Sequence, residues 1–156
     1  MVAWARMRSM GTAWRAILLG LLAACSGGGL GGSEIDGTMS AELAEYDASW
    51  SVTPNRCASG EHQGFFGVDL LEGDRDDALL RVLLDPVEGY SLGFNIPGEE
   101  LALFLDANSG CELFDLQVAR QSSRVNEYWN VEGHALVDCV GPGIDLHVDV
   151  AFAGCH

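Results

Sequence analysis

The chain has 156 residues, with 23 acidic side chains against eight basic ones, all arginine, and a formal net charge of −15. That balance excludes nucleic acid as a partner, which demands clustered positive charge to displace phosphate counterions, and it opposes electrostatic docking on anionic lipid. Hydrophobic residues make up 48% and charged ones 20%, enough apolar surface for a folded core and too little charge for wholesale disorder, in a length that fits one domain.

Residues 1–24 carry no acid. Arg6, Arg8 and Arg15 form a basic start, and Ala16 to Ala24 (AILLGLLAA) is an apolar run. This run is too short to span a bilayer, which takes about 20 residues, and has the length of the apolar segment of a secretory signal peptide. It ends in Leu22-Ala23-Ala24-Cys25, which resembles the bacterial lipobox, a Leu and two small residues before an obligatory Cys. The resemblance implies that the thiol of Cys25 receives a diacylglyceryl group, that the chain is cut before it, and that the new N-terminus is acylated. Several acyl chains at one site anchor stably, at about 0.8 kcal/mol per buried CH₂. Ser26 after the Cys, by analogy with enterobacterial sorting, favours the outer over the inner membrane. Ser26 to Ser33 (SGGGLGGS) reads as a Gly-rich tether with a reach of roughly 15 Å. The expected organisation is a signal peptide at 1–24, lipidated Cys and tether at 25–33, and a folded domain at 34–156. After cleavage five arginines face 23 acids, a net charge of −18, which keeps the domain soluble and off the lipid.

From residue 37 onward the dominant signal is alternation with period two, the signature of strands buried on one face. Met39-Ala41-Leu43 opens the series weakly and could also be a helical turn, since Ser40 to Glu45 are good helix formers. Tyr46, Ala48, Trp50 and Val52 follow, then Phe66, Val68 and Leu70, then Leu80, Val82 and Leu84. Tyr90, Leu92, Phe94 and Ile96 come next, then Leu101, Leu103 and Leu105, and Phe114, Leu116 and Val118. The clearest runs are the last two, Trp129 to Cys139 and Ile144 to Phe152, each read at every second residue. Turn chemistry separates them at Gly73 to Asp77, Asp85-Pro86, Pro97-Gly98, Asn108-Ser109-Gly110 and Gly141-Pro142-Gly143. The pattern predicts an all-β fold, an antiparallel β-sandwich of about eight or nine short strands.

With Cys25 given to lipid, Cys57, Cys111, Cys139 and Cys155 remain, an even number in an exported chain, which reads as two disulfides. No Cys-x-x-Cys or His-x-x-x-His spacing points to metal. A hairpin of 129–139 with 144–153 separates Cys139 from Cys155 by roughly 30 Å at ~3.4 Å per residue, while a disulfide needs Cα atoms within about 7 Å. A preceding hairpin, 113–119 with 128–138 turning at Ser122-Ser123, brings Cys111 beside Cys139. The expected pairs are Cys111–Cys139 and, by remainder, Cys57–Cys155.

Trp50-Ser51-Val52, Cys57-Ala58-Ser59-Gly60-Glu61, Phe65-Phe66-Gly67-Val68-Asp69, Asn130 to Cys139 and the closing Phe152-Ala153-Gly154-Cys155-His156 together resemble the small, β-rich, cysteine-containing predicted lipoproteins of myxobacterial type. The resemblance covers most of residues 25–156 and implies location and fold; it carries no activity.

Candidate chemistry is sparse. Asp106-x-Asn108-x-Gly110 resembles the opening of a calcium loop, and closely spaced oxygens in a tight turn suit Ca²⁺. The twelfth position, where an EF-hand has Glu, is Gln117, and the same pattern is ordinary turn chemistry. Glu72, Asp74, Asp76 and Asp77 form an acidic loop tip that reads as a solvated turn, with Arg75 partly compensating. His134 and His147 fall on polar strand faces, roughly 13 Å apart along the strands, with His147 opposite Asp138. Trp50 and Trp129 read as core, Tyr128 and Phe65 or Phe66 as better exposed. No catalytic nucleophile, cofactor motif or Gly-x-Ser-x-Gly is present. The leading expectation is a non-catalytic, lipid-anchored cell-envelope domain with a structural or interaction role, its partner an envelope protein or glycan. A calcium- or carbohydrate-binding module is second, an envelope hydrolase third.

Overall fold

Leu146, Val148, Val150 and Phe152 are buried while His147, Asp149 and Ala151 between them are exposed. A chain with that alternation lays one face on a core only as an extended strand. The same rule builds most of the molecule. The computed structural model describes residues 32–74, 79–95 and 102–156. These contain ten strands: β1 (Glu34–Leu43), β2 (Ala48–Val52), β3 (Arg56–Ser59), β4 (Gly67–Leu71), β5 (Leu80–Asp85), β6 (Gly89–Asn95), β7 (Ala102–Asp106), β8 (Leu113–Val125), β9 (Tyr128–Gly141) and β10 (Ile144–Cys155). They form two antiparallel sheets of five, ordered β2-β1-β10-β9-β8 and β3-β4-β5-β6-β7. The fold is an all-β sandwich, and Ile96 and Leu101, read as strand positions, lie outside the described residues.

One local expectation is corrected, one is decided between its alternatives, and one strand is added. Met39, Ala41 and Leu43 lie on the buried face of a ten-residue strand, and the helical alternative shrinks to one 3₁₀ turn at Ala44–Tyr46. The turn between β8 and β9 is at Asn126-Glu127, not Ser122-Ser123. Both turn residues have positive φ, 50° and 74°, which is what a two-residue hairpin loop of type I′ demands. Ser122 and Ser123 lie within β8, where the register jumps from Arg120↔Val131 to Arg124↔Trp129 and leaves two extra residues on β8. The buried Asn130 side chain donates to Ser123 Oγ at 3.0 Å and ties this irregular stretch down. The added strand is β3, which no alternation predicts.

The two sheets cross. At one end of β6, Tyr90 O–H donates to the Val118 carbonyl at 3.2 Å and Tyr90 Oη accepts the Val118 N–H at 3.0 Å, on β8. Near the other end Phe94 meets Trp50 of β2, ring centroids 6.3 Å apart. Strands β8 and β2 are opposite edges of the first sheet, so β6 runs across it, as in orthogonal sandwiches. Met39, Leu70, Leu80, Leu92, Phe94, Val137 and Leu146 fill the space between and are fully buried. Tyr90 also occupies outward-facing backbone groups of edge strand β8, where another chain could otherwise pair.

Cys57–Cys155 joins β3 of one sheet to β10 of the other, and Cys111–Cys139 joins the approach to β8 to β9 within the first sheet. The register explains both. Leu113 opposes Asp138, which sets Cys111 beside Cys139. Cys139 opposes Leu146, at the far end of β10 from Cys155.

Candidate functional site

Cys25 and its lipobox lie outside the described residues, as do Arg75, Asp76 and Asp77 of the acidic loop. Among the described residues no helix is long and apolar enough to cross a membrane.

Asp106 and Asn108 occupy an exposed turn after β7. Asp106 Oδ1 accepts the Asn108 N–H at 2.9 Å and the Ser109 O–H at 3.0 Å, and Ser109 Oγ accepts the Asp106 N–H. The Ser109 hydrogen bond, then that from Asn108, holds the Asp106 carboxyl below its ordinary range. The carboxylate serves the turn that presents it. Among the described residues no three His, Cys, Asp or Glu side chains stand close enough together to hold a metal. His147 pairs in register with Asp138, and His134 with Ala151 four residues along. His134 Nε2 lies 3.3 Å from Asp115 Oδ2 without the alignment of a hydrogen bond.

Two polar clusters, neither apparent from the sequence, gather around residues 60–66. The segment Gly60–Gln63 is a 3₁₀ turn capped by Ser59, whose Oγ accepts the Glu61 N–H. It folds over the outer face of β4 and β5. There Asp69, on the strand face expected to meet solvent, is only 2% exposed. Arg81 binds it through Nε at 2.7 Å and Nη2 at 2.8 Å, and Gln63 Nε2 donates to it at 2.7 Å. The Arg81 guanidinium also donates to Gln63 Oε1 and lies over the Phe65 ring, 4.5 Å from its centroid. Phe65 fits because Gly60 and Gly67 lie beneath it; a Cβ on either would strike its ring. Donating to Asp69 raises the Arg81 pKa further, against the opposing effect of burial. Three donors hold the Asp69 carboxylate, so the cluster fastens the 3₁₀ turn to the sheet.

The second cluster closes one end of the sandwich. Glu61 Oε1 accepts from Arg120 Nε at 2.9 Å and lies 2.6 Å from its Nη2, while Oε2 accepts the Trp129 N–H at 3.1 Å. Burial pushes the Glu61 carboxyl up, but the Trp129 and Arg120 hydrogen bonds with the charges of Arg120 and Arg124 outweigh it and hold it below the ordinary range. Arg120 lies over the Phe66 ring, Arg124 over Trp129 at 3.7 Å, and the His62 and Tyr128 rings are 3.8 Å apart. Trp129 is thus half-buried under an arginine at the end of the sandwich, whereas Trp50 packs against the core.

The concave surfaces are shallow. One groove of about 390 Å³ lies between the turns after β1 and β9 and is lined by Glu42, Asp47, Ser49, Val140 and Ile144 among others. Another, of about 360 Å³, runs beside Phe104, 63% exposed, with Asp85 and Asp106 at its edge. Each combines carboxylates with apolar side chains, and in the second the Ser109 hydroxyl is spent on the Asp106 carboxylate within the turn.

Compared with family models, curated proteins and solved structures, the chain returns no match.

Proposed function

We propose that this protein is a lipid-anchored module of a bacterial cell envelope, held by acyl chains on Cys25, with a structural or interaction role. The observation that carries the reading is Leu22-Ala23-Ala24-Cys25 at the end of an acid-free, arginine-bearing apolar segment. Two disulfides in a domain that begins at Glu34 support it, because such bonds persist in oxidising compartments outside the cytosol. The outer membrane is the proposed location, on the strength of Ser26.

Labelling with a palmitate analogue tests the anchor. The wild-type chain takes up label and loses residues 1–24; Cys25→Ser does neither, and equal labelling of both overturns the reading. The absence of lysine adds a second readout. After cleavage the Cys25 α-amine is the single primary amine in the chain, so an amine-reactive dye reports directly whether that amine is acylated.

A further inference from the structure

The first sheet has two ends. Leu43, Ile144, Gly141 and Leu113 mark one; Glu34, Cys155, Tyr128 and Val125 mark the other. The chain enters at the second, since β1 begins at Glu34 opposite Ala153, with the backbone of Gly32 beside Gly154. At this entry end the β8–β9 hairpin projects past its neighbours. Phe152 opposes Gly133, so Glu34 stands about level with Glu132, and the strand pairing runs on to Val125↔Tyr128. That is about four residues, or roughly 14 Å at ~3.4 Å each. Cys25 lies seven residues before Gly32, so covalent geometry alone keeps it within about 25 Å of the entry end. That bound exceeds the hairpin overhang, so the hairpin tip can reach the surface that holds Cys25.

Charge is distributed along the same axis. In the first sheet Arg120 and Arg124 are the only arginines, and both lie on this hairpin, with Glu34, Glu127 and Glu132 as acidic neighbours in sequence or register. Towards the opposite end stand Glu42, Glu45, Asp47, Glu112, Asp138 and Asp145 with no arginine. Arg124 is exposed and makes no ion pair within 4 Å among the described residues; Arg120, paired with Glu61, still leaves 54% of its side chain exposed. Beside them are half-buried Trp129 and Tyr128. Ring systems with an apolar body and a polar edge settle at the headgroup level of bilayers, and an arginine beside them is attracted to lipid phosphates. With Glu34, Glu61, Glu127 and Glu132 beside its two arginines this end is still net acidic, but less so than the opposite end, so of the two it is the one such a surface repels less.

We propose that the hairpin end bearing Arg120, Arg124, Tyr128 and Trp129 is a second, weaker membrane contact, resting on the lipid headgroups of the bilayer that holds Cys25. It orients the sandwich with its acidic end away from the membrane. The proposal rests on the anchoring reading, and the test separates the two.

Without residues 1–24 the chain has two tryptophans, Trp50 and Trp129. Trp50 opposes Ala41, near the opposite end of the first sheet, so each reports one end. The full chain, expressed with its own leader in a bacterium, is purified in detergent as Trp50→Phe and as Trp129→Phe. Both are reconstituted into phosphatidylglycerol–phosphatidylethanolamine vesicles carrying a lipid spin-labelled near the headgroup. The expected result is that both forms float with the vesicles and only Trp129 emission is quenched. Adding Arg124→Glu to the Trp50→Phe form should cut that quenching by more than half while flotation is unchanged; Arg124→Gln, which keeps the stem over Trp129, should cut it less. Flotation without quenching of Trp129, or equal quenching of both tryptophans, overturns the hairpin contact and leaves the anchor standing. Failure to float overturns the anchor, and the contact with it.

Discussion

Asp69 is a carboxylate with its solvent replaced. At 2% exposure it depends on Arg81 and Gln63 for every interaction water would have supplied. Removing one partner of a buried pair costs about 3–5 kcal/mol because the other is left uncompensated. Arg81 keeps a third of its side chain exposed, so the expected loss for Asp69→Ala is smaller, about 2–3 kcal/mol, read as a fall in the thermal midpoint. The Asp69→Ala/Arg81→Ala double variant should lose less than the two single losses combined; simple additivity would mean the two groups do not act as a pair. Glu61 gives a pH-dependent counterpart. Its folded pKa is held below the ordinary 4.5, so the unfolded chain takes up the proton first as pH falls. The stabilisation is therefore fully present above about pH 4.5 and is lost as pH drops through the lower, folded value. Glu61→Gln should melt earlier than wild type at pH 6, and the gap should narrow as the pH is lowered to 3. A gap unchanged between pH 6 and pH 3 would show that the carboxylate's charge contributes nothing.

At the scale of elements, the disulfides can be ranked. The Cys57–Cys155 bond closes a separation of 98 residues and fastens the short β3 across the first sheet; Cys111–Cys139 closes 28 within one sheet. The chain-entropy relation gives about 4.7 and 3.6 kcal/mol, as upper values. Cys57→Ala/Cys155→Ala should therefore lower the denaturation midpoint more than Cys111→Ala/Cys139→Ala, and the reverse order would place the greater constraint inside the first sheet. The long strands were legible because alternation over ten or more residues, as from Tyr128 to Cys155, leaves little choice of period, and their register then set Cys111 beside Cys139. Strand β3 was not legible: four residues with Cys57 and Ala58 adjacent show no alternation. The β8–β9 turn was misplaced because Ser122-Ser123 looks like turn chemistry, while Asn126-Glu127 lacks the glycine that usually marks a type I′ loop. The two polar clusters were out of reach for another reason. Glu61 meets Arg120 and Trp129 across 59 and 68 residues, and only the packing of one sheet on the other brings them together. Asp69 fell on the polar face of its strand, and nothing local signals that residues 60–66 fold over it.

At the scale of the whole molecule, repulsion among 23 carboxylates opposed by five arginines in residues 25–156 works against the compact state. Ions relieve it in two distinguishable ways. Screening acts on every exposed pair and follows ionic strength alone, the Debye length shrinking from about 10 Å at 0.1 M to 3 Å at 1 M. A bound cation acts through a site and stabilises by RT ln(1 + [L]/Kd), about 2.7 kcal/mol at a hundredfold excess over Kd. For a domain of this size that is a midpoint shift of roughly 5 °C or more. The described residues favour screening: Asp106 Oδ1 is already occupied by Asn108 and Ser109, and no three ligating side chains converge. Sodium chloride should therefore raise the melting midpoint progressively, and calcium chloride at matched ionic strength should raise it no further. Asp106→Asn should leave the difference between the two salts unchanged. It should lower the midpoint slightly in both, because the amide accepts the turn's hydrogen bonds more weakly than the carboxylate does. A calcium-specific shift at millimolar concentration that disappears in Asp106→Asn would instead make that turn a cation site and move the calcium-binding reading ahead of the structural one.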